Sequence, residues 1–127
     1  MLGLVGLAQL GALLGAPPAS AGRFDCASRW LDRTEQTICG DPQLMRMDDQ
    51  LALRLDGFAS RLNLGQYLGL RHWHAVRARQ RGQCVADREC IAASFRAQGR
   101  FLDRLQRCVS ASLARRACLR EMLLASE

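Results

Sequence analysis

The stretch Asp41-Pro42-Gln43-Leu44-Met45-Arg46-Met47-Asp48-Asp49-Gln50-Leu51-Ala52-Leu53-Arg54-Leu55 decides the fold. It opens on an acid followed by proline. An aspartate at a helix start accepts from free backbone N–H groups, and proline suits the first helical position because its missing N–H costs nothing there. Leu44, Met47, Leu51, Leu55, Phe58 and Leu62 then recur at steps of three and four. That spacing marks one buried face of an amphipathic helix. It predicts a helix over 42–62, closed by Asn63 and Gly65, with Asp48, Asp49, Arg54, Asp56 and Arg61 falling largely on other faces.

Working outward, Gly40 stops a shorter piece of one or two helical turns over 34–39. Residues 22–33 read as irregular chain tied down by Cys26. A second helix is expected over 66–81, with Tyr67, Leu70 and Trp73 on one side and Gly82 at its end. Residues 84–87 make a tight loop. A third helix begins near Asp87 and carries Ile91, Phe95, Leu102 and Leu105; Gly99 inside it costs about 1 kcal/mol relative to alanine. A fourth, shorter helix covers 112–124. Helix formers dominate and β-branched residues are sparse. The expectation is an all-α fold, a small bundle of three to four helices clipped by disulfides.

The first 21 residues carry no charged side chain. An apolar run over 2–14 is broken by Pro17 and Pro18, and Ala19-Ser20-Ala21 supplies a small-x-small pattern. This reads as a secretory signal peptide, 1–21, leaving one domain, 22–127, in the periplasm or outside the cell. The run falls short of the roughly 20 apolar residues of a membrane span, so none is expected after cleavage. The six cysteines, Cys26, Cys39, Cys84, Cys90, Cys108 and Cys118, all follow the cut. An even number in an oxidising compartment implies disulfides. Bonded cysteines need Cα atoms within about 4.4–6.8 Å. In a continuous helix Cys84 and Cys90 would stand roughly 9 Å apart, and Cys108 and Cys118 roughly 15 Å. Each local pair therefore demands a chain reversal. Gly82 and Asp87 allow the first, and 109–112 the second, with Ser112 capping the next helix. The favoured pairing is Cys26–Cys39, Cys84–Cys90 and Cys108–Cys118.

Little points to catalysis. No CxxC occurs and the histidines are remote from every cysteine in sequence, so neither metal nor cofactor is expected. His72 and His74 stand two apart on a helix and point in different directions. Glu35 and Asp48 could pair as carboxylates for glycoside chemistry, but structural roles fit them better. Glu35 caps or salt-bridges beside Cys39, and Asp48 anchors the loop against its helix. No nucleophile triad, phosphate loop or HExxH is present. The chain is expected not to be an enzyme. Trp30 and Trp73 are expected in the core rather than as binding anchors.

Charge is unevenly spread. All 18 basic residues are arginine against 12 acids. Residues 71–107 hold nine arginines against three acids, while 22–70 hold six against seven. Arg77, Arg81, Arg88, Arg96, Arg100, Arg104 and Arg107 belong to this basic block. Nucleic acid is an improbable partner for an exported chain. Anionic lipid or polysaccharide of the envelope suits the block better.

One further pattern stands out: Asp25-Cys26, then Glu35-x-x-Ile38-Cys39, then Asp41-Pro42-x-Leu44, then Asp48 and Leu51. It resembles the lysozyme inhibitor LprI N-terminal-like domains of bacterial envelopes. Their second half carries Arg-x-x-Cys and then a cysteine opening a helix with an aromatic residue. Arg81, Cys84, Cys90 and Phe95 match that. The resemblance covers roughly 22–105, leaving 106–127 as an added cysteine-linked helix. His74 and Arg77 stand where the family usually has Gln and Trp, and Trp73 is placed to fill the same core space. The resemblance implies a helical envelope binding protein and, as its first specific expectation, stoichiometric inhibition of a lysozyme or other wall-degrading enzyme. Asp41, Asp48, Asp49 and Asp56 would then meet the cationic enzyme. The alternatives are a cationic binder of anionic envelope lipid or polysaccharide, with Arg96, Arg100 and Arg104 in contact, and a structural envelope protein with neither activity.

Overall fold

The computed structural model describes residues 20–21, 24–111 and 115–124. The expected signal peptide lies outside them, except Ser20–Ala21, and so does the capping role of Ser112. Ser20–Ala21 (β1) and Phe24–Asp25 (β2) form a two-residue antiparallel ladder. The helices are α1 (Arg33–Cys39), α2 (Pro42–Gly57), α3 (Leu64–Arg81), α4 (Arg88–Ser110) and α5 (Arg115–Leu124). A single 3-10 turn, Gly82–Cys84, joins α3 to α4. The fold is all-α and clipped by disulfides. Among the described residues four principal helices form the bundle, and the short α1 is a fifth.

Local chemistry sets the boundaries. Asp41 caps α2, accepting from the Gln43 and Leu44 N–H groups at 2.9 and 3.2 Å. Asp32 and Glu35 form a capping box on α1, so Glu35 caps the start of the helix that ends in Cys39. Asp87 caps α4 through the Cys90 N–H at 3.0 Å. Asn63 does what its sequence position did not announce. It opens α3 in a capping box with Gln66 rather than closing α2. α2 correspondingly ends at Gly57, five residues short of the expected Leu62. Phe58 and Leu62 remain buried from the turn that follows, so their periodic spacing reports burial without continued helix.

The core gathers Leu44, Leu51 and Leu55 of α2, Leu70 and Trp73 of α3, Ile91, Phe95, Leu102 and Leu105 of α4, and Leu119 of α5. Each such side chain contributes about 1.5–3 kcal/mol by leaving water. Trp73 stacks on Phe101 with ring centroids 3.9 Å apart. Trp30 corrects its expectation: it is 81% exposed, beneath the Arg29 guanidinium at 5.1 Å. It lies in the irregular chain before α1, where no helical spacing directs it inward.

The disulfides are Cys26–Cys39, Cys84–Cys90 and Cys108–Cys118, with Cα atoms 5.7, 5.5 and 5.6 Å apart. Each closes a reversal. The first ties the N-terminal chain to α1, the second spans the corner between α3 and α4, and the third holds α5 against the end of α4. The second corner is tight. Val85 sits at φ 54°, a strained conformation for a β-branched residue. The Asp87 N–H to Cys84 carbonyl bond closes the turn at 2.9 Å, and the Thr34 hydroxyl donates to the Val85 carbonyl at 2.8 Å. α1 thereby pins that corner.

Candidate functional site

The stripe Ile91, Phe95, Gln98, Leu102, Leu105 on α4 contains one polar member, and the site grows from it. Gln98 is buried. A buried amide needs partners, or it costs about 1–3 kcal/mol. Its Oε1 accepts from the Arg81 guanidinium. Its Nε2 lies 3.2 Å from His74 Nδ1. Because Oε1 faces Arg81, the amide N–H faces His74, whose Nδ1 is the acceptor. Arg81 also donates through Nε to the Ser94 hydroxyl at 3.2 Å and lies 3.9 Å over the Phe95 ring. Four polar side chains, Arg81, His74, Ser94 and Gln98, thus join α3 to α4.

This corrects one expectation. Arg81 is 2% exposed: a core cation, not a member of a solvated basic face. The α4 stripe opposite offers it Ser94 and Gln98 one turn apart, and the aromatic face of Phe95 between them. His74 is likewise buried. Its ring faces α4, while His72 points to solvent.

Above this network the α3–α4 seam opens into a groove of about 440 Å³. Arg81 is at its floor, and Arg77 and Arg104 stand on its two walls. Each wall arginine leans over one ring of the buried stack. Arg77 is 5.9 Å from the Trp73 centroid and Arg104 is 5.8 Å from that of Phe101. The rings hold the guanidinium stems without neutralising them. Among the described residues no carboxylate lines the groove. Arg77 and Arg104 form no ion pair among the described residues.

Elsewhere four arginines meet acids. Arg54 reaches Asp103 at 2.6 Å, Arg88 reaches Asp41 at 2.5 Å, Arg96 reaches Glu89 at 2.5 Å and Arg71 reaches Asp56 at 3.8 Å. Of the expected contact arginines, Arg104 alone lines the groove. Arg96 is engaged by Glu89, and Arg100 is exposed outside it. The acids fare similarly. Asp41 is taken up by the α2 cap and Arg88. The backbone N–H of Leu44, followed by Arg88 and the Gln43 N–H, holds its carboxyl below the ordinary range against a smaller opposing effect of burial. Asp48 corrects the acidic-face reading: it is 1% exposed. It lies four residues after Leu44 and three before Leu51, on the inward stripe of α2. Asp49 is half-buried and Asp56 exposed.

The Glu35 and Asp48 carboxylates do not share a hollow. Glu35 lines one of about 390 Å³ with Asp56, Arg71 and His74, and Asp48 is absent from its lining. Among the described residues no group of three or more His, Cys, Asp or Glu is placed to hold a metal ion. No helix there is long and apolar enough to cross a membrane. No protein-family model, curated protein or solved structure matches the chain.

Proposed function

We propose that this chain is an exported, non-catalytic binding protein of the bacterial envelope that holds anionic polymer through the α3–α4 groove. The observation that carries this reading is the groove lined by Arg77, Arg81 and Arg104 with no carboxylate among its lining residues. Planar guanidinium groups donate in pairs to carboxylates and phosphates. Arg77 and Arg104, exposed on the two walls of a rigid seam, are suited to such groups on a polymer. Export is supported by the charge-free leader and by three disulfides. Membership of the LprI-like family is supported by the cysteine and Asp-Pro spacing.

Inhibition of a lysozyme, the reading that the family resemblance supports, has less geometry behind it. A cationic enzyme asks for exposed carboxylates. Here Asp41 and Asp56 face arginines and Asp48 is buried.

Titration calorimetry of the oxidised protein with a polyuronate tests the proposal. Affinity should fall as salt rises, because exposed charges are screened over roughly 8 Å at physiological ionic strength. Arg77→Gln/Arg104→Gln should cost about 2 kcal/mol of binding, on the order of 1 per arginine. Its melting temperature should stay near the parent's. Binding that ignores both salt and this variant would sink the reading. Stoichiometric inhibition of a lysozyme, untouched by the variant, would replace it.

A further inference from the structure

We infer that the end of the molecule where α3 begins and α5 packs is a seat on an anionic lipid bilayer. It uses none of the groove residues and goes beyond polymer binding. Leu64 and Leu68 stand one turn apart on the solvent side of α3, 73% and 56% exposed. Scattered exposed leucines are ordinary on a protein surface. What sets these apart is the charge around them.

Gly65 and Gly69, their neighbours in sequence, form one wall of a groove of about 570 Å³. Arg116 and Arg120, one turn apart on α5, form the other, with Leu119 and Leu123 also lining it. Arg115 donates to the Arg61 carbonyl, which brings the Arg61 backbone to the same end, while the Arg61 guanidinium donates to Gln106 Oε1 at 2.7 Å. All four arginines are exposed, and none forms an ion pair among the described residues. Among the described residues no carboxylate lines this groove either. A Cβ at Gly69 would meet nothing within 4 Å, so core packing does not require the glycine. Its effect is to leave the groove open.

Apolar side chains beside a set of unneutralised arginines are the combination that settles a protein on an anionic membrane surface. The leucines enter the acyl boundary, and the longer arginines reach the headgroup phosphates above them. Other occupants fit less well. Two leucines give little apolar area against the roughly 800 Å² per partner of a stable protein interface. A second copy would bring like charges together. A soluble polyanion would leave the leucines without a role.

The test is co-sedimentation of the oxidised protein, at low salt, with vesicles of phosphatidylcholine and phosphatidylglycerol, and with phosphatidylcholine alone. All variants are made in the same chain. The mixed vesicles should bind, and the neutral ones should bind at least about tenfold more weakly. Leu64→Ser/Leu68→Ser should weaken binding to the mixed vesicles roughly tenfold, from lost apolar transfer alone. Arg116→Gln/Arg120→Gln should do the same through charge. Neither should lower the melting temperature or polyuronate affinity. Arg77→Gln/Arg104→Gln should leave vesicle binding within about twofold, so that polymer and lipid binding fail separately. The proposal is overturned by absence of vesicle binding, by a leucine variant that binds as the parent does, or by equal loss from the α3–α4 groove variant.

Discussion

At the scale of single residues, the arginines divide by environment rather than by position in the chain. Arg81 is buried against Ser94, Gln98 and Phe95. Arg77, four residues before it, is exposed on the groove wall. Their substitutions should therefore separate. Arg81→Ala should cost on the order of 3 kcal/mol of stability, because it strips a charge-assisted bond from buried Gln98 and leaves its amide oxygen unsatisfied. Arg77→Gln should cost less than about 0.5 kcal/mol, as exposed substitutions generally do. Urea melts of the two variants check this, and equal losses would place Arg77 in the core network. Asp41 supplies a pH signature. Its folded-state pKa lies below the ordinary value of 3.8. A lowered carboxyl pKa contributes stability that is complete above the ordinary value and is lost as pH falls through the lowered one. Asp41→Asn keeps an acceptable cap but removes the titration and the charge on Arg88's partner. The parent's advantage over Asp41→Asn in melting temperature should thus hold near neutral pH and shrink below pH 3.8. An advantage that persists unchanged in acid would show that the charge does not matter.

At the scale of elements, each disulfide replaces what a small bundle lacks in core area. The bridged residues are separated by 13, 6 and 10 positions, and loops of that size carry about 2–3 kcal/mol each in the loop-entropy account. Peptide mapping without reduction should return three local bridges and no free thiol. A peptide joining Cys26 to Cys90 or Cys118 would overturn the pairing. Replacing Cys108 and Cys118 by serine should act chiefly on α5, whose inward anchor is Leu119. Hydrogen exchange should quicken across 115–124 before it does in α2 or α4. Uniform quickening would mean that α5 belongs to one cooperative unit with the rest.

At the scale of the whole molecule, charge forms two separate cationic surfaces. The α3–α4 groove comes from the basic block. The α3–α5 end comes from Arg115, Arg116 and Arg120, all of which lie outside it. Polymer binding and vesicle binding should both weaken with salt. Only vesicle binding should depend on Leu64 and Leu68, since screening acts on charge and not on apolar transfer.

The chain by itself determined which segments are helical, because three-and-four spacing, Asp41-Pro42 and Asp87 are local signals whose physics acts within one or two turns. It also favoured the disulfide pairing, because Gly82 and Asp87 allow the reversal that Cys84–Cys90 needs and residues 109–112 the one that Cys108–Cys118 needs. The α2–α3 boundary was less legible. Asn63 is equally good at ending one helix and starting the next, and only Gln66 three residues later shows which. Tertiary structure alone decided what the charged residues do. Asp48 and Arg81 look like surface groups in a list of charges, and Arg77 looks like their equal. Whether a charge is buried, paired or left facing solvent depends on what the opposing helix presents to it. The distance from Gln98 to His74, the Trp73–Phe101 stack beneath two guanidinium groups, and the meeting of α3 with α5 are set by packing between segments far apart in the chain. No local spacing encodes them.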